Sequence, residues 1–341
     1  MATIKEVAKR ARVSVGTVSN VVTGAAPVRP LRRERVLAAI RELGYHPNYI
    51  ARSLKLRHTK TLGMVISDIT NPFFSHMVRG AEDAALARNY QLLTLNTDDR
   101  VEREKQALAV LQSRRVDGIL LVVAPSHDSP EHIEGALARG IPVVCLDRLP
   151  PGIHVDSVTA DNVGGARECV RHLVSLGHRR VAIITGSLAL QTARERLQGY
   201  QEALEEARVP IRANLIQEGD FRTESGYRLG RKLLSRAGRP EAIFVCNAMM
   251  ALGVLKALDE LDLHCPEDVA LASFDDLPLA EAFRPHLTAV AQPAYAIGYR
   301  GATLLIERIE GKGPKPTPIE IRLPTELKIR ESTVGAGHPA Q

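Results

Sequence analysis

Thr3-Ile-Lys-Glu-Val-Ala-Lys-Arg-Ala-Arg-Val-Ser-Val-Gly-Thr-Val-Ser-Asn-Val-Val22 reads as two short helices joined by a tight turn at Arg12-Val13. Ile4, Val7, Ala8 and Ala11 recur at helical spacing and give the first helix a buried stripe. Thr3 is placed to cap that helix and Ser14 to cap the second, its hydroxyl accepting a backbone N–H that the first turn leaves unbonded. Ala8 is small enough for the two helices to cross closely. Val13 and Val18 face the same small core as Val36, Ile40 and Leu43 of a third helical pattern, Leu31 to Leu43. Val15, Gly16, Ser19 and Asn20 are left outward on the second helix, with Ser14 and Thr17 beside its first turn. A helix–turn–helix of this size is a device for laying its second helix in the major groove of double-stranded DNA, Ser14 and Thr17 toward phosphate oxygens. A plain helical hairpin would carry the same apolar stripe, so charge has to decide between them.

Residues 1–60 hold 13 Lys or Arg against 3 Glu, a net charge of +10. The whole chain carries +6, so residues 61–341, with 32 basic and 36 acidic side chains, carry −4. A basic head on a slightly acidic body is the electrostatic footprint of a nucleic-acid binder. The shift in composition also marks a domain boundary near Lys60. Within the second helix Gly16 offers a base no side chain, and Val15 can meet only a thymine methyl or a sugar carbon. Readout then falls mainly on Ser19 and Asn20, and an Asn can pair with adenine N6 and N7. Arg29, Arg32 and Arg33 read as backbone positioners.

About 280 residues follow the head, more than one compact core usually holds, so two lobes are expected. They repeat a short apolar strand followed by an amphipathic helix. Strands are expected at 61–67, 91–95, 118–123, 142–146, 180–185, 215–218, 242–246 and 270–274. Helices are expected at 74–89, 102–114, 132–139, 163–175, 193–207, 224–236, 250–261 and 294–309. Such alternation gives a parallel sheet covered by helices, with ligands at the carboxyl ends of the strands. Polar residues gather there: Asp68, Asn96, Thr97, Ser126, Asp147, Asp161, Asp220, Asn247, Asp275 and Asp276. Singly each would be a helix cap or a turn residue; converging from two lobes they outline a cleft.

No catalytic residue, metal ligand set or cofactor is expected. The phosphate-cradling Gly-x-x-x-x-Gly-Lys, a Gly-x-Gly-x-x-Gly after a strand and His-Glu-x-x-His are all missing from the sequence. Ser187 in Thr-Gly-Ser lacks a matching His and reads as a loop residue. The four cysteines, Cys145, Cys169, Cys246 and Cys265, have no paired spacing. Cys145 and Cys246 lie in apolar strands and read as reduced core thiols of a cytoplasmic protein. No signal-like leader precedes the head, and a run such as Ile119–Ala124 is far too short to span a membrane, so no membrane partner is expected.

The run from Thr3 to Lys55 resembles the head of the LacI/GalR family of bacterial repressors, with Val-Ser-x-x-Thr-Val-Ser at 13–19 and Ala-Arg-Ser-Leu-Lys at 51–55. The resemblance runs on through Asp68-Ile-Thr-Asn-Pro-Phe-Phe74, Arg115-Val-Asp-Gly-Ile119, Leu176-Gly-His-Arg-Arg180 and Leu323-Pro-Thr-Glu-Leu327, in matching order. It implies an all-α helix–turn–helix head plus an α/β core, a two-lobed, parallel-sheet, periplasmic-binding-protein-like domain. The implied division is a head at 1–47, a hinge and linker at 48–60, and a core at 61–335. The core's first lobe would be 61–160 with 292–323 and its second 161–291 with 324–335, leaving a disordered tail at 336–341. The hinge would fold on the operator beside its twin in a homodimer. Leu54 would wedge into the central base step from the minor groove, with Arg52 and Lys55 on sugar–phosphate edges. The dimer would use helices such as Phe74–Asn89 and Met250–Leu261.

Positions matching the family's effector contacts are Phe73 and Phe74 on one lip, Phe221 on the other, and Thr192, Arg196, Asn247 and Asp275. Three phenyl rings here are a concentration in a chain of only 13 aromatic residues. Arg196 can fork two hydroxyls while Asp275 and Asn247 exchange hydrogen bonds with others, chemistry that suits a sugar or sugar-like polyol as small-molecule effector. Leu190 stands where purine-sensing relatives carry Arg, and Ala248 where the family usually has Asp. The expected function is thus a ligand-responsive repressor of a pseudopalindromic operator. The alternatives are a global catabolite regulator controlled by a phosphocarrier protein docking on the 294–310 helix, and an enzyme with a borrowed head.

Overall fold

The computed structural model describes residues 2–23, 26–45, 58–126, 130–277, 284–311 and 317–334. It divides into two compact units, residues 1–59 and 60–341. In the first, α1 (Ile4–Ala11), α2 (Val15–Thr23) and α3 (Pro30–Leu43) close over Val7, Ala8, Ala11, Val18, Val36 and Ala39. Thr3 and Glu6 make a reciprocal capping box at the start of α1. Ser14 caps α2, its Oγ accepting the Thr17 amide at 3.1 Å. Arg12 ends α1 in the left-handed region, φ 54°. Third comes α3, entered through Pro30, where a missing N–H costs nothing. The hinge residues Arg52, Leu54 and Lys55 lie outside the described residues.

The second unit carries two six-stranded sheets. Strands β1 (Thr61–Ile66), β2 (Gln91–Asn96), β3 (Gly118–Leu121), β4 (Val143–Leu146) and β5 (Asp156–Ala160) build the first. The second is built from β6 (Val181–Thr185), β7 (Ile216–Glu218), β8 (Ala242–Val245), β9 (Ala270–Phe274) and β10 (Thr288–Ala291). Then β11 (Glu320–Leu323) returns to the first sheet and β12 (Glu326–Lys328) to the second. The orders are β11-β5-β4-β3-β1-β2 and β12-β10-β9-β8-β6-β7, parallel throughout except β12 against β10. Inner strands such as Val181-Ala-Ile-Ile are buried on both faces, which is why they read as unbroken apolar runs. The four strands missing from the sequence reading, β5, β10, β11 and β12, are only three to five residues long. Three of them interleave charged or hydroxyl residues with apolar ones, so no apolar run announces them.

Helices α4 (Pro72–Ala87), α5 (Val101–Ser113), α6 (Glu131–Ala138) and α11 (Ala294–Ile309) pack on the first sheet. The second is flanked by the pairs α7 (Asn162–Ser175) with α8 (Gln191–Glu206) and α9 (Thr223–Leu234) with α10 (Ala248–Glu260). The short α12 (Glu331–Val334) packs against β9 and β10. Among the described residues the chain passes between lobes at three places, Ala160 to Asn162, Ala291 to Ala294 and Leu323 to Glu326.

Helices α4 and α11 touch backbone to backbone. A Cβ on Gly80 would strike the carbonyl oxygen of Tyr295, and one on Gly298 would strike that of Met77. Gly298→Ala should therefore push α4 away and cost about 2–3 kcal/mol. A thermal melt indistinguishable from wild type would show that the two helices can part freely. Since α4 opens with Phe73 and Phe74, this glycine pair also fixes where one lip of the cleft stands.

Candidate functional site

The carboxyl ends of the strands face each other across a cavity of about 480 Å3. Phe73, Phe74, Thr192, Arg196, Phe221, Asn247 and Asp275 all line it. Asn71 accepts the Phe73 amide at 3.1 Å and so starts α4 where both rings turn inward, 5.1 Å apart and edge to face. Of the ten polar strand-end residues only Asp68, Asp147, Asp220, Asn247 and Asp275 reach the cavity. Four of the others serve the fold. Asn96 accepts the Ile69 amide, Thr97 bonds Ile66 O, Asp161 caps α7 through the Gly164 amide, and Asp276 pairs with Lys328 and Arg330.

Two of the expected ligand groups are already engaged. Asn247 donates from Nδ2 to Phe221 O at 2.8 Å and accepts the Met250 amide at 2.9 Å, capping α10. Its side chain holds Phe221 in place, and Phe221 itself sits in the left-handed region, φ 65°. Gly186 leaves the room: a Cβ there would run into the Phe221 ring. Arg196, 3% exposed, donates from Nε to Asn162 Oδ1 at 2.9 Å and from Nη1 to Cys246 O at 2.6 Å. Its guanidinium lies 3.8 Å over the Phe274 ring and 5.8 Å from that of Phe221. Two of its nitrogens therefore brace the site, leaving less than a full fork for a ligand.

Sequence reasoning missed Arg148, Asp99, Gln292 and Arg222, all of which line the cavity. Arg148 donates to Asp99 Oδ1 at 2.6 Å and to Val123 O at 3.2 Å, with Nε 3.5 Å from Asp147 Oδ2. It lies 5.6 Å from the Phe74 ring and 5.9 Å from the Phe221 ring, so rings and guanidinium groups alternate from one lobe to the other. Arg222 of the second lobe donates to the Asp98 carbonyl of the first at 2.9 Å. Asp98 and Asp99 are consecutive left-handed residues, φ 53° and 60°. Arg148, Asp99 and Arg222 bond across 25 or more positions and Gln292 across 17, beyond any local pattern.

Asp147 and Asp275 close the two halves of the site in the same way. Each follows one of the two middle strands of its sheet, β4 or β9, in the left-handed region, φ 63° and 70°, a conformation Asp tolerates better than most residues. Burial pushes the Asp147 carboxyl up to about 6, against the pull of Arg148 and Arg196. Burial likewise raises Asp275, opposed by Arg196 and by Gln292, whose Nε2 donates to it. Burial also works on Asp99, but Arg148 and Ser67 outweigh it and hold that carboxyl below its ordinary value. Among the described residues the buried Asp147 Oδ1 and Gln292 Oε1 have no hydrogen-bond partner.

In the head, Val15 is 42% exposed, Ser14, Gly16 and Arg29 are exposed, and Thr17, Ser19 and Asn20 are half-buried. A Cβ on Gly16 would meet nothing closer than Ser14 Oγ at 3.8 Å, so packing does not require glycine there. Among the described residues no helix is long and apolar enough to cross a membrane, and no group of three potential metal ligands occurs.

Known proteins agree with both units. Residues 3–48 match the model of bacterial regulatory proteins of the lacI family, and residues 170–333 match a periplasmic binding protein-like domain. The chain is 37% identical over 324 residues to the HTH-type transcriptional repressor PurR of Yersinia pestis (strain Pestoides F), covering 94% of each. This protein belongs to the lacI family. It is a ligand-responsive transcriptional repressor, and the relatives of this lacI-family chain are repressors rather than enzymes. Its fold superposes on a Lac repressor dimer bound to operator and the anti-inducer ONPF, with TM-score 0.86, 29% identity and coverage of 98% and 99%. A CelR–cellobiose complex matches at TM-score 0.74 and 35% identity, covering 97% of this chain and all of that one.

Proposed function

We propose that this repressor answers to a sugar or sugar derivative held between its lobes and that it binds a pseudopalindromic operator as a homodimer in the cytoplasm. The unpartnered acceptors Asp147 Oδ1 and Gln292 Oε1 carry the reading. A buried acceptor without a donor costs roughly 1–3 kcal/mol, and a hydroxyl-rich ligand supplies donors to both. The cavity's size falls in the ordinary range for small-molecule sites. Phe73, Phe74 and Phe221 offer ring faces to sugar C–H groups, while Thr192, Arg196 and Asp275 supply the polar edge and Asn247 holds Phe221. Solved relatives support the class: a CelR–cellobiose complex, and a LacI family regulator from Enterococcus faecium with bound ribose, 31% identical over 81% of this chain. Leu190, which precedes α8, is buried and does not line the cavity, so it offers a purine base no contact.

Toward DNA, Ser14 and Thr17 address phosphate, Val15, Gly16, Ser19 and Asn20 the major groove, and Arg29 the backbone. Leu54, with Arg52 and Lys55, would wedge the minor groove at the operator centre. Lobe closure around the ligand changes the spacing of the two hinges, and its sign follows from which lobe arrangement binds ligand better. A protein partner on α11 is not favoured, since the relatives covering nearly the whole chain include small-molecule complexes.

The test is a thermal-shift panel of hexoses, pentoses, disaccharides, hypoxanthine and guanine on the purified full-length protein. Stabilisation by a sugar, with the same sugar changing affinity for genomic fragments that share an inverted repeat, is the expected result. Stabilisation by a purine base alone would overturn the sugar assignment.

A further inference from the structure

The head holds a second concave feature, apart from the outward face of α2. A groove of about 550 Å3 runs between α1, α2 and α3, rimmed by Lys9, Arg12, Arg32 and Arg35, with Ser14 and Thr17 at one end. Among the described residues no Asp or Glu lines it. Among the described residues none of these four cations has a carboxylate within ion-pair distance, whereas Arg10, next to Lys9 on the same helix, is paired with Glu42 at 2.7 Å. Four cations gathered without a counter-charge repel one another, a cost that an anion in the groove would reverse.

Arg12 sharpens the point. Its backbone is left-handed, φ 54° and ψ 50°, at a helix end where glycine is the favoured residue. The cap is made by its backbone N–H alone, bonding Ala8 O and Lys9 O, so the side chain contributes nothing to ending the helix. The hydroxyls add a donor. Ser14 Oγ and Thr17 Oγ1 are 2.9 Å apart, and their mutual bond consumes one of the two hydroxyl protons. The other is left to face an anion.

We infer that this groove seats one phosphate of the duplex backbone, with Lys9, Arg12 and Arg35 as its cations alongside Arg32 and the Ser14–Thr17 hydroxyls as its neutral donors. The inference rests on the head being the DNA-binding element. Guanidinium forks match phosphate oxygens in pairs, and such contacts set register on the duplex without reading bases.

The experiment measures binding of the full-length protein to a random-sequence duplex by fluorescence anisotropy over a series of KCl concentrations. Lys9→Gln, Arg12→Gly and Arg35→Gln should each weaken duplex binding and lower the slope of log K against log[KCl], and the three together should lower it by about 0.9, the change for one lost phosphate contact. Arg10→Gln should leave the slope at the wild-type value. Arg12→Gly separates binding from folding, because glycine relaxes the left-handed backbone: its Tm should hold or rise while affinity falls. Wild-type slopes in all three variants, with duplex binding intact, would overturn the groove assignment. Failure of the wild-type protein to bind any duplex would overturn the reading of the head instead. Inorganic phosphate competing as well as duplex at equal ionic strength would reassign the groove to a free anion and overturn the DNA source.

Discussion

Arg196→Ala is expected to abolish the ligand response and to destabilise the core by about 3 kcal/mol. The side chain is buried, and its removal strands two acceptors, Asn162 Oδ1 and Cys246 O. It also uncovers the Phe274 face on which the guanidinium rests at 3.8 Å. Both effects come from one group, so alanine alone cannot separate binding from bracing. Arg196→Lys can. Lysine keeps the charge and part of the packing but has no planar fork to bond Asn162 and Cys246 while facing a ligand. The lysine variant should recover part of the lost Tm and none of the ligand-induced shift. A ligand-induced shift of wild-type size in either variant would remove Arg196 from the site.

Asp147→Asn should weaken ligand binding about 30-fold, the loss of about 2 kcal/mol for a hydrogen bond to a charged acceptor. It should also remove a pair of opposed pH dependences. Burial lifts this carboxyl from 3.8 to about 6 in the folded protein, so the folded state holds the proton more tightly than the unfolded chain. Its contribution to stability is therefore full below about pH 4 and lost as pH rises through about 6, by about 3 kcal/mol. A ligand donating to the ionised oxygen follows the other direction and binds better as pH rises through the same window. Isothermal titration and thermal melts between about pH 5 and 7 should show affinity climbing while intrinsic stability declines. Flat ligand affinity across that range in the wild-type protein would show that ionised Asp147 is not the acceptor.

Much of the fold is legible in the sequence. The head could be read because Thr3, Ser14 and the Val7–Ala8–Ala11 stripe obey local rules of capping and periodicity, and all of them do in the folded chain what those rules require. The parallel sheets could be read because strands such as β6 and β8 are buried on both faces and so are continuously apolar. Cleft membership of Phe73, Phe221 and Arg196 came from the resemblance to known repressors, not from any pattern in the residues themselves. Arg148 stayed hidden for a physical reason: its partners Asp99 and Val123 are brought to it by different strands, and nothing within a few positions marks a buried guanidinium. Asn247 was visible as a polar strand end, yet only the fold reveals that its amide is spent on Phe221 and Met250.

The three passages between lobes are bonded edge to edge. The Asp161 amide donates to Leu323 O at 2.8 Å, and Ala291 pairs with Glu326 across the antiparallel β10–β12 ladder. A three-ply strip laminated in this way behaves like a leaf spring, compliant about the axis across its width and stiff against torsion or sideways shear. Whatever enters the cavity can then do little except change one angle. Bulky and small ligands would differ in how far they drive that angle, not in the direction of travel, and agonists and antagonists would be points on a single scale. A substitution in the strip away from the cavity, at Thr325, would alter the spring constant and so the steepness of response, with the ligand's own contacts untouched.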